Sequence, residues 1–444
     1  VLVTTLWLAA LACTDGETPI GGLQDEPPPE TSFLPYDGPT PANLIFVSID
    51  TLRRDHISRY GDLDLTPFMD QLMGEGVGLD AHQACSNWTY AGILCALSGQ
   101  GNVPFAFVPR LSKTYREALP DDTPMLPDWL RQVGFGTALV SSNGYLSDKW
   151  NTAQGFDSVV YPGFERAEDM IALALDELDE LMVEHKRWFL HLHLRDAHAP
   201  YDPPAEYLTA LEGLPEIDYD LADWDSHYLL AGQFLTLDPE DQEVLEQHLR
   251  VRYEAAVRYT DDQLQALWAE LEQRRALDDT LVVVWSDHGE QFFEHQRQTH
   301  AWSLHYGEND ALAFFWAKDL AHATWSGPTV QEDLVPTLFE VLGLPQRDEF
   351  TGMPLGTAPD DRPLWLISDG RVGPEQAVQI SGDKLGYTWN GDRFFHRRGT
   401  DPTELVDAYD PEDPDVVALW DQLMPYVEAA MPLLPEQTPV EAGP

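Results

Sequence analysis

Three stretches of this chain carry side chains that could do chemistry together. Asp50 follows the apolar run Leu44-Ile45-Phe46-Val47-Ser48-Ile49, and Asp287-His288 follows Leu281-Val282-Val283-Val284-Trp285-Ser286. Two carboxylates and an imidazole suit a divalent cation with positions left open for a substrate. Between them in sequence, Asn87-Trp88-Thr89-Tyr90-Ala91-Gly92 opens a small-residue stretch that closes at Gly99. As a helix, this stretch places Thr89 near an N-terminus, where backbone N–H groups and the helix dipole favour an anionic ester. A hydroxyl beside a divalent metal is also easier to ionise, which activates a weak nucleophile. Each residue has an ordinary reading as well. Asp50 suits a turn cap, Asp287 an Asx turn and Thr89 a helix N-cap.

The elements that must bring these residues together are legible in outline. Runs of apolar residues ending in polar ones are the pattern of strands buried on both faces of a parallel sheet. Such runs fall at 44–49, 136–141, 188–194 and 281–286, with a further strand expected near 77–84 and helices near 67–74, from 90, at 124–133, 167–185, 239–273 and 330–342. The alternation indicates an α/β fold, a doubly wound and mainly parallel sheet with helices on both faces. Ligands of such sheets collect beyond the carboxyl ends of the strands, where Asp50 and Asp287 would sit. Segments at 363–368, 377–380, 384–388 and 393–396 read as a small antiparallel sheet. A catalytic domain is therefore expected over 43–345 and a C-terminal α+β subdomain over 346–430, followed by a disordered tail at 431–444.

Composition narrows the function further. The 444 residues hold 76 acidic against 26 basic side chains, a formal charge of −50, which would repel nucleic acid and anionic membrane surfaces. Neither a glycine-rich dinucleotide fingerprint nor a P-loop is present. Lysine occurs only at Lys113, Lys149, Lys186, Lys318 and Lys384, a balance suited to a saline habitat. The apolar segment 1–12 has the length of a signal-peptide core and ends in Ala10-Leu11-Ala12-Cys13. That ending resembles the lipobox of bacterial lipoproteins. It implies export to the periplasm or outer face, with a lipid anchor on Cys13 as the only membrane attachment and 14–42 as a flexible tether. Cys85 and Cys95 would be free to pair in an oxidising compartment, or to stand as two buried thiols.

Four motifs in order resemble those of the sulfatases and the wider alkaline-phosphatase superfamily. Phe46-Val47-Ser48-Ile49-Asp50-Thr51-Leu52-Arg53-Arg54-Asp55-His56 is similar to their opening strand and metal loop. His193-Leu194-Arg195-Asp196-Ala197-His198-Ala199-Pro200-Tyr201 resembles their histidine segment, which implies that His198 contacts an ester oxygen. Ser286-Asp287-His288-Gly289-Glu290, with His300 beyond it, resembles their second metal loop, and Asp333-Leu334-Val335-Pro336 their closing helix. The resemblance implies an alkaline-phosphatase-like fold and one divalent ion (calcium, manganese, magnesium or zinc) on Asp50, Asp287 and His288. It also implies substrate contact by His300. The departure is at Thr89, which stands where sulfatases carry the cysteine or serine that becomes formylglycine. Threonine cannot mature that way. The set Asp50, Thr89, Asp287 and His288 instead resembles superfamily phosphotransferases and phosphodiesterases.

The expectation is thus a metal-dependent hydrolase or transferase of sulfate or phosphate esters, on a small molecule, glycan or lipid headgroup, with Thr89 as nucleophile. Asp196 is a candidate to orient His198, Asn143 to face the substrate, and His193 to lie in the core or behind the ligands. The rivals are a sulfuric ester hydrolase that works without formylglycine, and a non-catalytic protein that binds an anionic glycan or lipid headgroup. The sequence leaves oligomeric state open.

Overall fold

The computed structural model describes Leu34 and residues 40–101, 118–217, 219–368, 375–388 and 390–430. The expected leader with Cys13, most of the expected tether and the expected tail lie outside the described residues. Leu34, within the tether segment, is buried in one of the two main cores.

The strands are β1 (Asn43–Ile49), β2 (Val77–Gln83), β3 (Gly136–Ser141), β4 (Ser158–Val160), β5 (Trp188–Leu194), β6 (Thr280–Ser286), β7 (Gln291–Phe292), β8 (Gln298–Thr299), β9 (Ala313–Trp316) and β10 (Ala323–Val330). Eight of them form one sheet in the order β10-β2-β9-β6-β1-β5-β3-β4. All its pairings are parallel except those of β9, which runs against β2 and β6. The helices are α1 (Pro67–Glu75), α2 (Thr89–Ser98), α3 (Leu126–Gln132), α4 (Ala167–Glu184), α5 (Trp224–Gln233), α6 (Pro239–Gln273), α7 (Tyr306–Asn309) and α8 (Leu334–Val341).

The central strands are apolar on both sides because helices cover both sides. Ile45, Val47 and Ile49 pack with α1, α4 and α6, while Leu44 and Phe46 pack with α2, α3 and α8. Burying each such aliphatic side chain contributes about 1.5–3 kcal/mol. A charge at Val47, in the middle of the central strand, is therefore a change this sheet could not absorb. The parallel pairing of β1 with both β5 and β6 brings their carboxyl ends level, with Ile49 opposite Leu194 and Ser286. That alignment delivers Asp50, Arg195 and Asp287 to one edge.

Beyond the sheet, β11 (Leu364–Ser368), β12 (Glu375–Ile380), β13 (Asp383–Thr388) and β14 (Arg393–Arg397) form an antiparallel sheet. Helix α9 (Pro414–Ala430) covers it, placing Val416, Leu419, Leu423 and Val427 against Val378, Leu385 and Phe395. The expected helix over 330–342 divides in the structure. Val330 ends β10, and its N–H is taken by the Asp333 carboxylate at 2.9 Å, so α8 begins only at Leu334. Strands β9 and β10 are not among those read from the sequence. The first is four residues long, and the second contains Gly327-Pro328 and leaves alternate residues half exposed.

Candidate active site

The structure brings Asp50, Thr89, Asp287 and His288 together at the carboxyl edge of the sheet. Trp88 is the N-cap of α2, so Thr89 is its first helical residue and its hydroxyl is not spent on a cap. That hydroxyl lies 3.5 Å from Asp50 Oδ1 and 3.4 Å from His288 Nε2. The close approach depends on Gly92, where a Cβ would sit 2.6 Å from the Asp287 carbonyl oxygen. Gln331 holds the same loop from below, donating to the carbonyls of Ser286 and Asp287 and accepting from Cys85 N–H. Cys85 and Cys95 are joined in a disulfide that closes the segment carrying Thr89. Thr51 adopts φ 56°, a left-handed conformation costly for a β-branched residue, and its N–H reaches Asp287 Oδ1 at 3.1 Å.

The electrostatics suit a divalent cation. Burial pushes the Asp50 carboxyl up, while His198, His193 and His288, where protonated, and the hydrogen bond to His193 act the other way, and the net direction is well below the usual range. Burial, then the charge of Asp50, pushes Asp287 well above that range. Burial, then His300, lowers His288 to about 3, so its imidazole is neutral. Its Nδ1 lies 2.9 Å from the Gly289 carbonyl, which can only accept, so Nδ1 carries the proton and Nε2 a lone pair. That lone pair faces Asp287 Oδ2 at 3.5 Å and Asp50 Oδ1 at 3.8 Å. Asp287 Oδ2 is buried with no hydrogen-bond partner among the described residues. Buried acceptor atoms that converge in this way, with Asp287 held protonated chiefly by burial and then by the charge of Asp50, fit a site for a cation. Ligating atoms of Asp50, His193 and Asp287 also lie within 4.8 Å of one another.

His198 and His300 line the same cavity of about 800 Å³ as Thr89 and Asn143. The two rings are in contact, 4.9 Å between centroids, and His300 is 4.5 Å from the His288 ring. Burial, then Arg195, holds His198 neutral, well below its ordinary pKa. Arg195 lies 2.9 Å from His198 Nδ1, and its guanidinium stacks over Phe164 at 4.2 Å. His300 Nδ1 is 2.9 Å from the buried Glu290 carboxylate. Trp88, Tyr145, Phe164 and Trp224 give the cavity an aromatic wall. Asn143 lines the cavity, and its amide is engaged by the protein itself. Its carbonyl accepts from Tyr145 N–H in a turn, while its amide donates to Asp50 Oδ2 at 2.6 Å. Asp196 does not orient His198. Its carboxylate takes the N–H of Ala167 at the start of α4. Glu290 and Arg195 stand within the motifs read from the sequence but carried no sign of their roles; Gln331, Phe164 and Trp224 had no local signal.

A mainly parallel eight-stranded sheet with helices on both faces, a buried Asp/His/Asp group at its carboxyl edge and a small antiparallel C-terminal sheet defines an alkaline-phosphatase-like fold. The sulfatase family profile matches residues 42–344, and the chain belongs to that family of hydrolases within the alkaline-phosphatase superfamily. A comparison with curated proteins found no match. Among solved structures, one similar protein is a complex with its substrate D-glucosamine-2-N,6-O-disulfate. It has 18% identity and a TM-score of 0.70, covering 88% of this chain and 98% of that one. A phosphonate monoester hydrolase from Silicibacter pomeroyi has 18% identity and a TM-score of 0.67, covering 89% and 96%. An alkaline-phosphatase superfamily protein from Vibrio parahaemolyticus has 18% identity and a TM-score of 0.61, covering 95% and 93%. Among the described residues, no helix is long and apolar enough to cross a membrane.

Proposed function

We propose that this protein hydrolyses phosphate-type or sulfate esters by attack of the Thr89 hydroxyl, with Asp50, Asp287 and His288 holding a divalent cation. The observation that carries this reading is the position of Thr89 Oγ1 between Asp50 Oδ1 and His288 Nε2, at the first turn of α2. When bound, the cation would ease ionisation of the hydroxyl and draw charge from the ester oxygens. The α2 N-terminus favours the anionic group and orients it toward Thr89. Thr89 Oγ then bonds to phosphorus or sulfur in line, its proton passing to water, while the bond to the leaving oxygen breaks. His300, whose cationic form Glu290 stabilises, protonates that oxygen, and His198 packs against the His300 ring in the same cavity. Water then cleaves the threonine ester and restores the hydroxyl.

The aromatic wall supports a leaving group with a flat apolar face, such as an aryl or sugar ring. Similar proteins have been solved with a sulfated glucosamine and a neocarrahexaose, which supports a sugar ester among the candidates. Export, expected from Ala10-Leu11-Ala12-Cys13, is supported by the Cys85–Cys95 bridge, because such bonds persist in oxidising compartments.

The test is hydrolysis of aryl phosphodiester, phosphomonoester and sulfate esters with added manganese, zinc or calcium. Thr89→Ala should lose roughly a thousandfold or more in kcat, and Thr89→Ser should retain turnover. Turnover that survives in Thr89→Ala would remove the nucleophile assignment. Stoichiometric metal binding without turnover of any ester would favour the non-catalytic binder.

A further inference from the structure

A second polar chain lies beneath Asp50, in the interior of the sheet. Strands β1 and β5 are paired in a register that sets Ser48 opposite His193 and Phe46 opposite His191. Residues two apart on a strand share a face, so His191 and His193 both flank Ser48. The Ser48 hydroxyl lies 2.8 Å from His191 Nε2 and 2.7 Å from His193 Nδ1. His193 Nε2 in turn lies 3.4 Å from Asp50 Oδ2. All four side chains are fully buried.

We infer that Ser48, His191 and His193 form a one-way hydrogen-bond relay that fixes which oxygen of Asp50 faces the metal, and that His193 is a positioning residue, not a ligand. The inference rests on the reading of Asp50 as a ligand. An ionised carboxylate only accepts, so His193 must present Nε2–H to Asp50 Oδ2. Its Nδ1 then carries a lone pair, and the single Ser48 proton is committed to it. Ser48 Oγ must therefore accept from His191 Nε2–H, which leaves His191 Nδ1 bare. That atom is buried with no hydrogen-bond partner among the described residues, beside the rings of Phe46, Phe189 and Trp285.

The opposite direction, in which His193 Nε2 ligates a metal, either puts an N–H at His191 Nδ1 with nothing to accept it or, if Ser48 accepts from both rings, leaves the Ser48 O–H without an acceptor among the described residues. Orphaned buried N–H groups are rarer than under-used acceptors. Burial holds His191 neutral, with a pKa of about 3, so both its nitrogens cannot be protonated. With Asn143 Nδ2 also donating to Oδ2 at 2.6 Å, that oxygen is saturated. Oδ1, on the side of Thr89 and His288, is the one left for a cation.

Two measurements on the full chain test this. In protein labelled with ¹⁵N-histidine, His191 and His193 should both appear as neutral Nε2–H tautomers, assigned against His191→Phe and His193→Asn. A Nδ1–H tautomer at His193 overturns the relay whether or not the protein is an enzyme. By calorimetric titration with manganese, Ser48→Ala should weaken binding about 10–100-fold. Ser48→Thr, which keeps the hydroxyl, should restore it. His191→Phe removes only the donor to Ser48 and should change affinity less than about threefold, a small part of that second-shell effect. Equal affinity in wild type and Ser48→Ala would overturn the positioning role. Failure of wild type to bind manganese, zinc, calcium or magnesium would instead overturn Asp50 as ligand, and with it the proposed function.

Discussion

The C-terminal sheet is locked to the catalytic sheet through Glu404, and the cost of unlocking it can be worked out. One oxygen of the Glu404 carboxylate lies 2.9 Å from Lys384 Nζ and 2.8 Å from Arg398 Nε. The other accepts from the Tyr306 N–H at 2.8 Å. The Glu404 and Lys384 side chains have no solvent exposure. Arg398 also pairs with Asp310, which pairs with Arg54. Glu404→Gln leaves Lys384, Arg398 and Arg54 with Asp310 as the one directly paired carboxylate among the described residues. Breaking a buried pair by removing one partner costs about 3–5 kcal/mol, because the remaining charge stays desolvated. The effect should reach the active site. Tyr306 opens α7, whose carbonyls hold Gly289 and Glu290 N–H beside His288. Equilibrium urea unfolding of Glu404→Gln, with and without Lys384→Met, gives the test. The single variant should lose about 3–5 kcal/mol, and the double variant should recover much of it, since the stranded charge is gone. A single variant within about 0.5 kcal/mol of wild type would refute the reasoning.

Three further outcomes follow from the geometry. Chelation should lower the melting temperature, because Asp50 and Asp287 then face each other unpaired; chelated Asp287→Asn should melt above chelated wild type and no longer respond to added manganese. In wild type, metal at a thousandfold its Kd should contribute about 4 kcal/mol, read by scanning fluorimetry. Burial pushes Glu375 from 4.5 up to about 7, with the Leu304 N–H and Lys384 opposing and Glu404 adding, and burial raises Glu332 to about 7 as well. The folded chain therefore keeps protons that the unfolded chain releases near 4.5. This contribution is fully present below that value and is lost as pH rises through 7. Melting temperature should fall from pH 5 to pH 8, and Glu375→Gln should flatten the slope. Replacing Cys85 and Cys95 together by alanine, which opens a loop of 10 residues' separation, should cost about 3 kcal/mol and lower kcat through Thr89. An unchanged melting curve and kcat would count against that role of the bridge.

Much of this protein is written locally. Strands buried on both faces must be runs of apolar residues, so β1, β3, β5 and β6 announce themselves, and polar residues at their carboxyl ends mark the ligand edge. Asp50, Asp287 and His288 were legible for that reason, and Thr89 through the small-residue helix it opens. What needed the tertiary structure was every feature set by contact across the sheet. Strand β9 is apolar but only four residues long, and the edge strand β10 lacks an apolar run; both are placed by pairing with neighbours distant in sequence. Asp196 looked like a partner for His198 because the two stand two residues apart in sequence, yet the chain turns it toward α4. Glu290 behind His300, Gln331 under Asp287 and the aromatic wall of Phe164 and Trp224 are supplied by separate loops and helices. The pairing of Cys85 with Cys95 and the direction of the Ser48 relay depend on register and distance. A linear sequence states which groups are available, but only packing decides which lone pairs and protons must meet.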